Sequence, residues 1–212
     1  RNPLQVCLFV MLKDKTSKIK LVTGRFGSGK TMAMATAALE LIERGKFDKI
    51  VWVRNNVSVK DAPEIGYLPG TEKDKIAPYM MPLFDNLNVI KHQFGANSRE
   101  LTAISEMQQS GQLVIEALAY IRGRSLSDAY IIVDEAQNLT PHEIKTIITR
   151  AGENTKVVFT GDVQQIDQPY LDMLSNGLVY TIDKMKGQNI FAHVNLIKGE
   201  RSYLSELASN LL

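Results

Sequence analysis

Short apolar runs alternate with longer helix-forming stretches along nearly the whole chain. Runs at 18–23, 50–54, 113–117, 130–134, 156–160 and 191–196 are apolar and β-leaning and predict strands. Stretches at 3–13, 31–44, 74–87, 99–109, 141–151, 169–176 (continuing to 185) and 202–212 carry helix formers at helical spacing. Strands of this length separated by helices predict an α/β fold whose sheet is mostly parallel and covered on both faces. Ligands of such sheets sit beyond the carboxyl ends of the strands. The least regular stretch is 55–73, with Pro63, Gly66, Pro69 and Gly70, and it is expected to be a long loop within one domain.

The first predicted strand runs into Gly24-Arg25-Phe26-Gly27-Ser28-Gly29-Lys30-Thr31 and then into a helix. Gly, four residues, Gly-Lys-Thr is the phosphate-binding loop pattern, and strand, loop, helix is the context it requires. Glycines let backbone N–H groups close around phosphate oxygens, and the helix N-terminus adds positive potential. Lys30 would supply a point charge to the β- and γ-phosphates, and Thr31 a hydroxyl to Mg²⁺. The chain is therefore expected to bind a nucleoside triphosphate.

Tyr130-Ile131-Ile132-Val133-Asp134-Glu135 is an apolar strand ending in two carboxylates. With Lys30 upstream, Asp134 is expected to contact Mg²⁺ through water, and Glu135 to orient or deprotonate an attacking water. Val157-Val158-Phe159-Thr160 ends in Gly161-Asp162-Val163-Gln164-Gln165, which places a neutral amide, Gln165, to sense the γ-phosphate without adding charge.

Bulk properties narrow the picture further. The net charge of +2 among 212 residues is too small to argue for nucleic acid by itself, so any such partner must rest on local basic groups. The single cysteine, Cys7, excludes an internal disulfide, fits a reducing, cytoplasmic setting, and is expected to be a small buried apolar residue. No apolar run approaches a membrane span. The chain starts at Arg1 rather than Met, which suggests a piece of a longer protein. His92, His142 and His193 have no metal-ligand spacing; Trp52 is expected in the core, and Met32, Met34, Met80 and Met81 as core filler.

Over nearly its whole length the sequence resembles the PhoH-like ATPases, relatives of the superfamily 1 helicase motor core. The resemblance rests on the phosphate loop, Asp134-Glu135-Ala136-Gln137-Asn138, and Thr160-Gly161-Asp162-Val163-Gln164-Gln165-Ile166-Asp167. Gly66-Tyr67-Leu68-Pro69-Gly70 with Pro78-Tyr79-Met80-Met81-Pro82, and Ile121-Arg122-Gly123-Arg124-Ser125, add to it. It implies one P-loop NTPase three-layer sandwich of RecA/helicase-like type across 1–212, using ATP and Mg²⁺. It also implies that Gln5, in the opening Arg1-Asn2-Pro3-Leu4-Gln5, reads the adenine edge. Two places depart from the pattern: Arg54-Asn55-Asn56 stands where Arg-Pro is expected, and Lys198-Gly199-Glu200-Arg201-Ser202 replaces an Arg-His-Pro-like element. The acidic cluster of a fused PIN nuclease has no counterpart.

An arginine facing the transferring phosphoryl group is worth roughly 10³–10⁵ in rate. Arg54, Arg122, Arg124 and Arg201 are candidates, and Arg201 is favoured because it follows the last strand. A superfamily 1 motor brings that arginine from a second lobe, for which this chain lacks length. A neighbouring subunit would then complete the site, giving a ring or other homo-oligomer. Arg54, Lys60, Arg122 and Arg124, with Lys73, Lys75, Tyr67 and Tyr79, are the candidate contacts for RNA or single-stranded nucleic acid. A nucleotide-gated switch with slow hydrolysis and a small-molecule kinase remain as competing readings.

Overall fold

The computed structural model describes residues 2–25, 27–54, 106–107, 109–121 and 123–199. Predicted helices at 74–87 and 202–212, most of 99–109, and the loop at 55–73 lie outside the described residues. Six strands are described: β1 (Ile19–Gly24), β2 (Lys49–Arg54), β3 (Leu113–Ala117), β4 (Ala129–Asp134), β5 (Lys156–Gly161) and β6 (Phe191–Leu196). They form one sheet in the order β3-β2-β4-β5-β1-β6, and every pairing is parallel. The expected α/β architecture is therefore observed, with the described sheet wholly parallel.

Successive residues of each strand face opposite layers. Val22, Ile50, Trp52, Tyr130, Ile132 and Val158 pack under helices α1 (Pro3–Lys13) and α2 (Lys30–Glu43). Leu21, Val51, Val53, Ile131, Val133 and Phe159 pack on the other face under α3 (Leu118–Ile121), α4 (Pro141–Ile148) and α5 (Gly177–Met185). Burial on both faces explains why these strands are continuous apolar runs rather than alternating ones. Trp52 and Met34 lie in the core as expected. Cys7 does not. It is exposed, because the inward face of α1 is taken by Leu8, Met11 and Leu12, and position 7 turns outward.

Two predicted helices are corrected. Residues 169–176 are not helical: the Asp172 carboxylate accepts from the amides of Leu174 and Ser175 at 2.8 and 2.6 Å and folds the segment into a turn. Asn176 then accepts from Val179 N and starts α5 at Gly177. The helix predicted over 141–151 ends at Ile148, because Ala151 leaves to bridge Leu126. Its start is as strong as sequence allows, with a capping box between Thr140 and Glu143 and Pro141 in the first turn.

α1 is held at both ends. Asn2 caps it by accepting from Leu4 N at 3.0 Å. At the far end the carbonyl of Leu12 accepts from Lys20 Nζ at 2.7 Å and from the Tyr130 hydroxyl at 3.2 Å. The carbonyl of Asp14 accepts from Lys20 Nζ at 2.9 Å and from Lys156 Nζ. These donors satisfy carbonyls that a helix end leaves open, and positive charge there suits the helix dipole. Burial, reinforced by the neighbouring Lys156, lowers the Lys20 pKa from its ordinary 10.5 to about 7.

Between pH 7 and 10.5 the unfolded chain thus holds a proton that the folded chain has lost, so folding stability rises with pH across that window. Urea midpoints measured from pH 7 to 9.5 should climb in the native chain and climb less in Lys20→Met. An identical pH slope in the two proteins would contradict a buried, proton-shedding Lys20.

Candidate nucleotide site

The parallel register brings the carboxyl ends of β1, β4 and β5 to one edge of the sheet. Thr23 stands beside Gly161, Val133 beside Phe159, and Arg54 of β2 beside Asp134. Gly24 leaves β1 into the phosphate loop, which ends at Gly29 with φ 82° and ψ 16°. Glycine tolerates that left-handed geometry without the strain a side chain would bring. Among the described residues no side chain caps α2 at Gly29, so the helix start has no N-cap acceptor. Ser28 Oγ is buried and makes no hydrogen bond. An uncapped helix start beside an orphaned hydroxyl is an anion cradle.

Lys30 opens α2 and folds back onto its own loop, donating to Gly24 O at 2.6 Å and Arg25 O at 3.0 Å. Burial lowers its pKa, opposed by the charges of Asp162, Glu135 and Asp134. Those three carboxylates therefore lie close enough to act on it. Thr31 occupies the next helical position, and Gln5 of α1 reaches the loop, its Nε2 3.5 Å from Ser28 O. Asp134 is buried at the end of β4 and accepts from Glu135 N at 3.1 Å. Thr31 and Asp134 offer a hydroxyl and one carboxylate. That hard-oxygen pair fits Mg²⁺, which is usually held by few protein groups plus phosphates and water.

Glu135 is half-buried and has φ 54° and ψ 39°, a left-handed conformation uncommon for a glutamate. A short 3₁₀ turn, Ala136–Asn138, follows. Its two amide side chains seize the segment after β5. Gln137 Oε1 accepts from Asp162 N at 3.2 Å, and Gln137 Nε2 donates to Gln165 O at 2.9 Å and to Glu135 Oε2 at 2.7 Å. Asn138 accepts from Asp167 N at 2.8 Å and donates to Asp167 Oδ2 at 3.2 Å. Between these clamps, Gln165 N bonds to Asp162 O at 2.9 Å, closing a turn from which the Gln165 side chain is exposed.

Gln5, Gly24, Arg25, Gly27, Ser28, Gly29, Lys30, Thr31, Asp134, Glu135 and Gln165 are thus all found around this one edge. Asp162 and Gln137 were not singled out as site residues by their sequence pattern, and both belong to the site by contact. Arg54 ends β2 beside Asp134 in the sheet. Arg124 donates to Glu116 Oε1 at 2.6 Å as a half-exposed ion pair. Phe26, Lys60, Arg122 and Arg201 lie outside the described residues.

An uncapped glycine loop between β1 and α2, its lysine under the charge of carboxylates on a strand two positions away, defines a P-loop nucleoside-triphosphatase fold. The sequence profile of the family described as PhoH-like protein matches residues 1–207. This chain belongs to that family. It is 46% identical over 209 residues to "Protein PhoH2" of Bacillus subtilis (strain 168), covering 98% of this chain and 46% of that one. A "PhoH-like protein" of the same organism is 38% identical over 164 residues, covering 77% of this chain and 48% of the relative. The chain thus spans just under half the length of these relatives. A solved structure titled "Sulfolobus solfataricus SWI2/SNF2 ATPase core in complex with dsDNA" superposes on 92% of this chain and 45% of that one, with a TM-score of 0.43 and 12% identity.

A Cβ on Gly161 would collide with Gln137 Oε1 and lie 3.0 Å from the Gln137 backbone nitrogen. Gly161→Ala is therefore expected to cost about 1–3 kcal/mol, the usual range for forcing atoms into a packed site. Urea unfolding measures it, and an unchanged midpoint would contradict the close nesting of β5 on the 3₁₀ turn.

Proposed function

We propose that this domain hydrolyses ATP at the γ-phosphate and couples hydrolysis to RNA or single-stranded nucleic acid. The observation that carries the reading is Lys30, closed onto Gly24 O and Arg25 O while under the influence of Asp162, Glu135 and Asp134. A lysine folded onto an anion cradle and under the charge of three carboxylates suits a site that takes a polyphosphate with a divalent cation. On binding, Lys30 exchanges its loop carbonyls for β- and γ-phosphate oxygens, and the loop amides and Ser28 hydroxyl face the phosphate chain. Thr31 and Asp134 would hold Mg²⁺, which would supply positive charge to offset the phosphate oxygens. Glu135 takes the proton of the attacking water, and Gln165 contacts the γ-phosphate. Gln5, beside the loop, reads the adenine edge.

The nucleic-acid partner rests on the resemblance and on Arg54, Lys60, Arg122 and Arg124 as phosphate contacts. Arg201 completes the hydrolytic site from a neighbouring copy, so the working form is a homo-oligomer. Light scattering checks this: a fully active monomer contradicts the assignment to Arg201.

Phosphate release from ATP by the native chain, with and without single-stranded RNA over a salt series, tests the whole reading. Lys30→Ala should abolish binding or turnover. Glu135→Gln should keep ATP bound and lower turnover by about 10²–10⁴, the usual worth of a general base. Stimulation by RNA should fade as salt rises. Native turnover in Glu135→Gln removes that residue from its role, and turnover indifferent to RNA favours a nucleotide-gated switch instead.

A further inference from the structure

Gln137 is fully buried between Glu135 and the Asp162–Gln165 turn, and no step of the hydrolysis described above uses it. We propose that Gln137 is a positioning residue whose amide fixes the Glu135 carboxylate relative to the turn carrying Gln165, so that water activation and γ-phosphate sensing are set together. The proposal rests on the reading of the site as an ATP-hydrolysing centre.

The orientation of this amide is fixed by the backbone. Its Oε1 faces a donor, Asp162 N, and its Nε2 faces an acceptor, Gln165 O. Reversing the amide would set nitrogen against N–H and oxygen against C=O, losing both bonds. Its second N–H therefore points at Glu135 Oε2, 2.7 Å away, as a charge-assisted bond of the stronger kind. That bond matters because Glu135 holds a left-handed backbone its residue type does not favour.

The other two bonds grip both ends of one turn, Asp162 and Gln165, whose own closure runs between the same residues. A shift of that turn when Gln165 meets a γ-phosphate pulls on the amide, and the amide pulls on the carboxylate. The missing side chain of Gly161 is what lets the amide come so near.

The test compares Gln137→Glu and Gln137→Met with the native chain by steady-state ATP hydrolysis, ADP titration and urea unfolding. Gln137→Glu keeps an acceptor for Asp162 N but turns a carboxylate oxygen on Glu135 and Gln165 O. Gln137→Met keeps the volume and loses every bond. Both should lower kcat by about 10- to 100-fold, as small misplacements of reacting groups do, with ADP affinity and KM held within about 3-fold. Should either variant not fold, Gln137→Asn, too short to span Glu135 and the turn together, should show the same loss. In a Glu135→Ala background Gln137→Met should lower kcat by several-fold less than in the native chain, since the part of its effect that acts through Glu135 is silent there and only the hold on the Gln165 turn remains.

Folded variants with native kcat, or with kcat and ADP binding lost in proportion, overturn the proposal. So does a drop in the Glu135→Ala background as large as that in the native chain. A native chain that does not hydrolyse ATP overturns the functional reading and this inference with it, whereas an active native chain beside unaffected Gln137 variants overturns the inference alone.

Discussion

β5 lies hydrogen-bonded between β1 and β4, and the site depends on that placement. Because all three strands run parallel, the phosphate loop, the Asp134-Glu135 pair and the Gly161-Asp162 turn leave the sheet at one edge. β5 supplies the spacing as well as the connection. Asp162 at its end is buried and carries charge toward Lys30, and Gly161 leaves room for Gln137. The 3₁₀ turn after β4 then reaches across to the segment after β5 through Gln137 and Asn138. Two strand ends become one polar unit rather than two loops.

The opposite edge of the sheet has its own buried polar unit, and it acts on the site through α1. Lys20, Lys156 and Tyr130 bind the carbonyls that end this helix. Lys13 pairs with Glu40 of α2 at 3.2 Å, a half-exposed contact that adds alignment more than stability. With its far end held on the sheet, α1 brings Gln5 to the phosphate loop. Among the described residues, no carboxylate side chain supplies a hydrogen bond to either of the two ammonium groups that share this helix end. Their joint burial is tolerable because proton loss from Lys20 comes within reach near neutral pH.

Strand positions were legible because burial on both faces writes an unbroken apolar run, as in Tyr130-Ile131-Ile132-Val133. The phosphate loop was legible because its chemistry needs fixed residues at fixed spacing. What escaped notice depends on tertiary partners. Gln137 sits in a motif, yet only the fold shows that its amide meets the ends of a turn 25 to 28 residues away. Asp162 has no role of its own in the sequence pattern and gains its charge role from the neighbourhood of Lys30. The segment 169–176 carries helix-compatible residues, but the Asp172 and Asn176 side chains compete for its backbone and delay the helix. Cys7 follows the apolar character of α1 and still faces outward, since one helix face suffices to bury Leu8, Met11 and Leu12.

Equilibrium titration of the native chain with ATP, ADP and AMP in the presence of Mg²⁺ tests most directly whether the loop from Gly24 to Thr31 is a polyphosphate cradle. Lys30 and the loop amides are arranged for the β-phosphate and beyond, so ATP and ADP should bind and AMP should bind far more weakly. AMP binding as tightly as ADP would mean that recognition lies in the nucleoside and not in the loop, and the assignment of this site would fall.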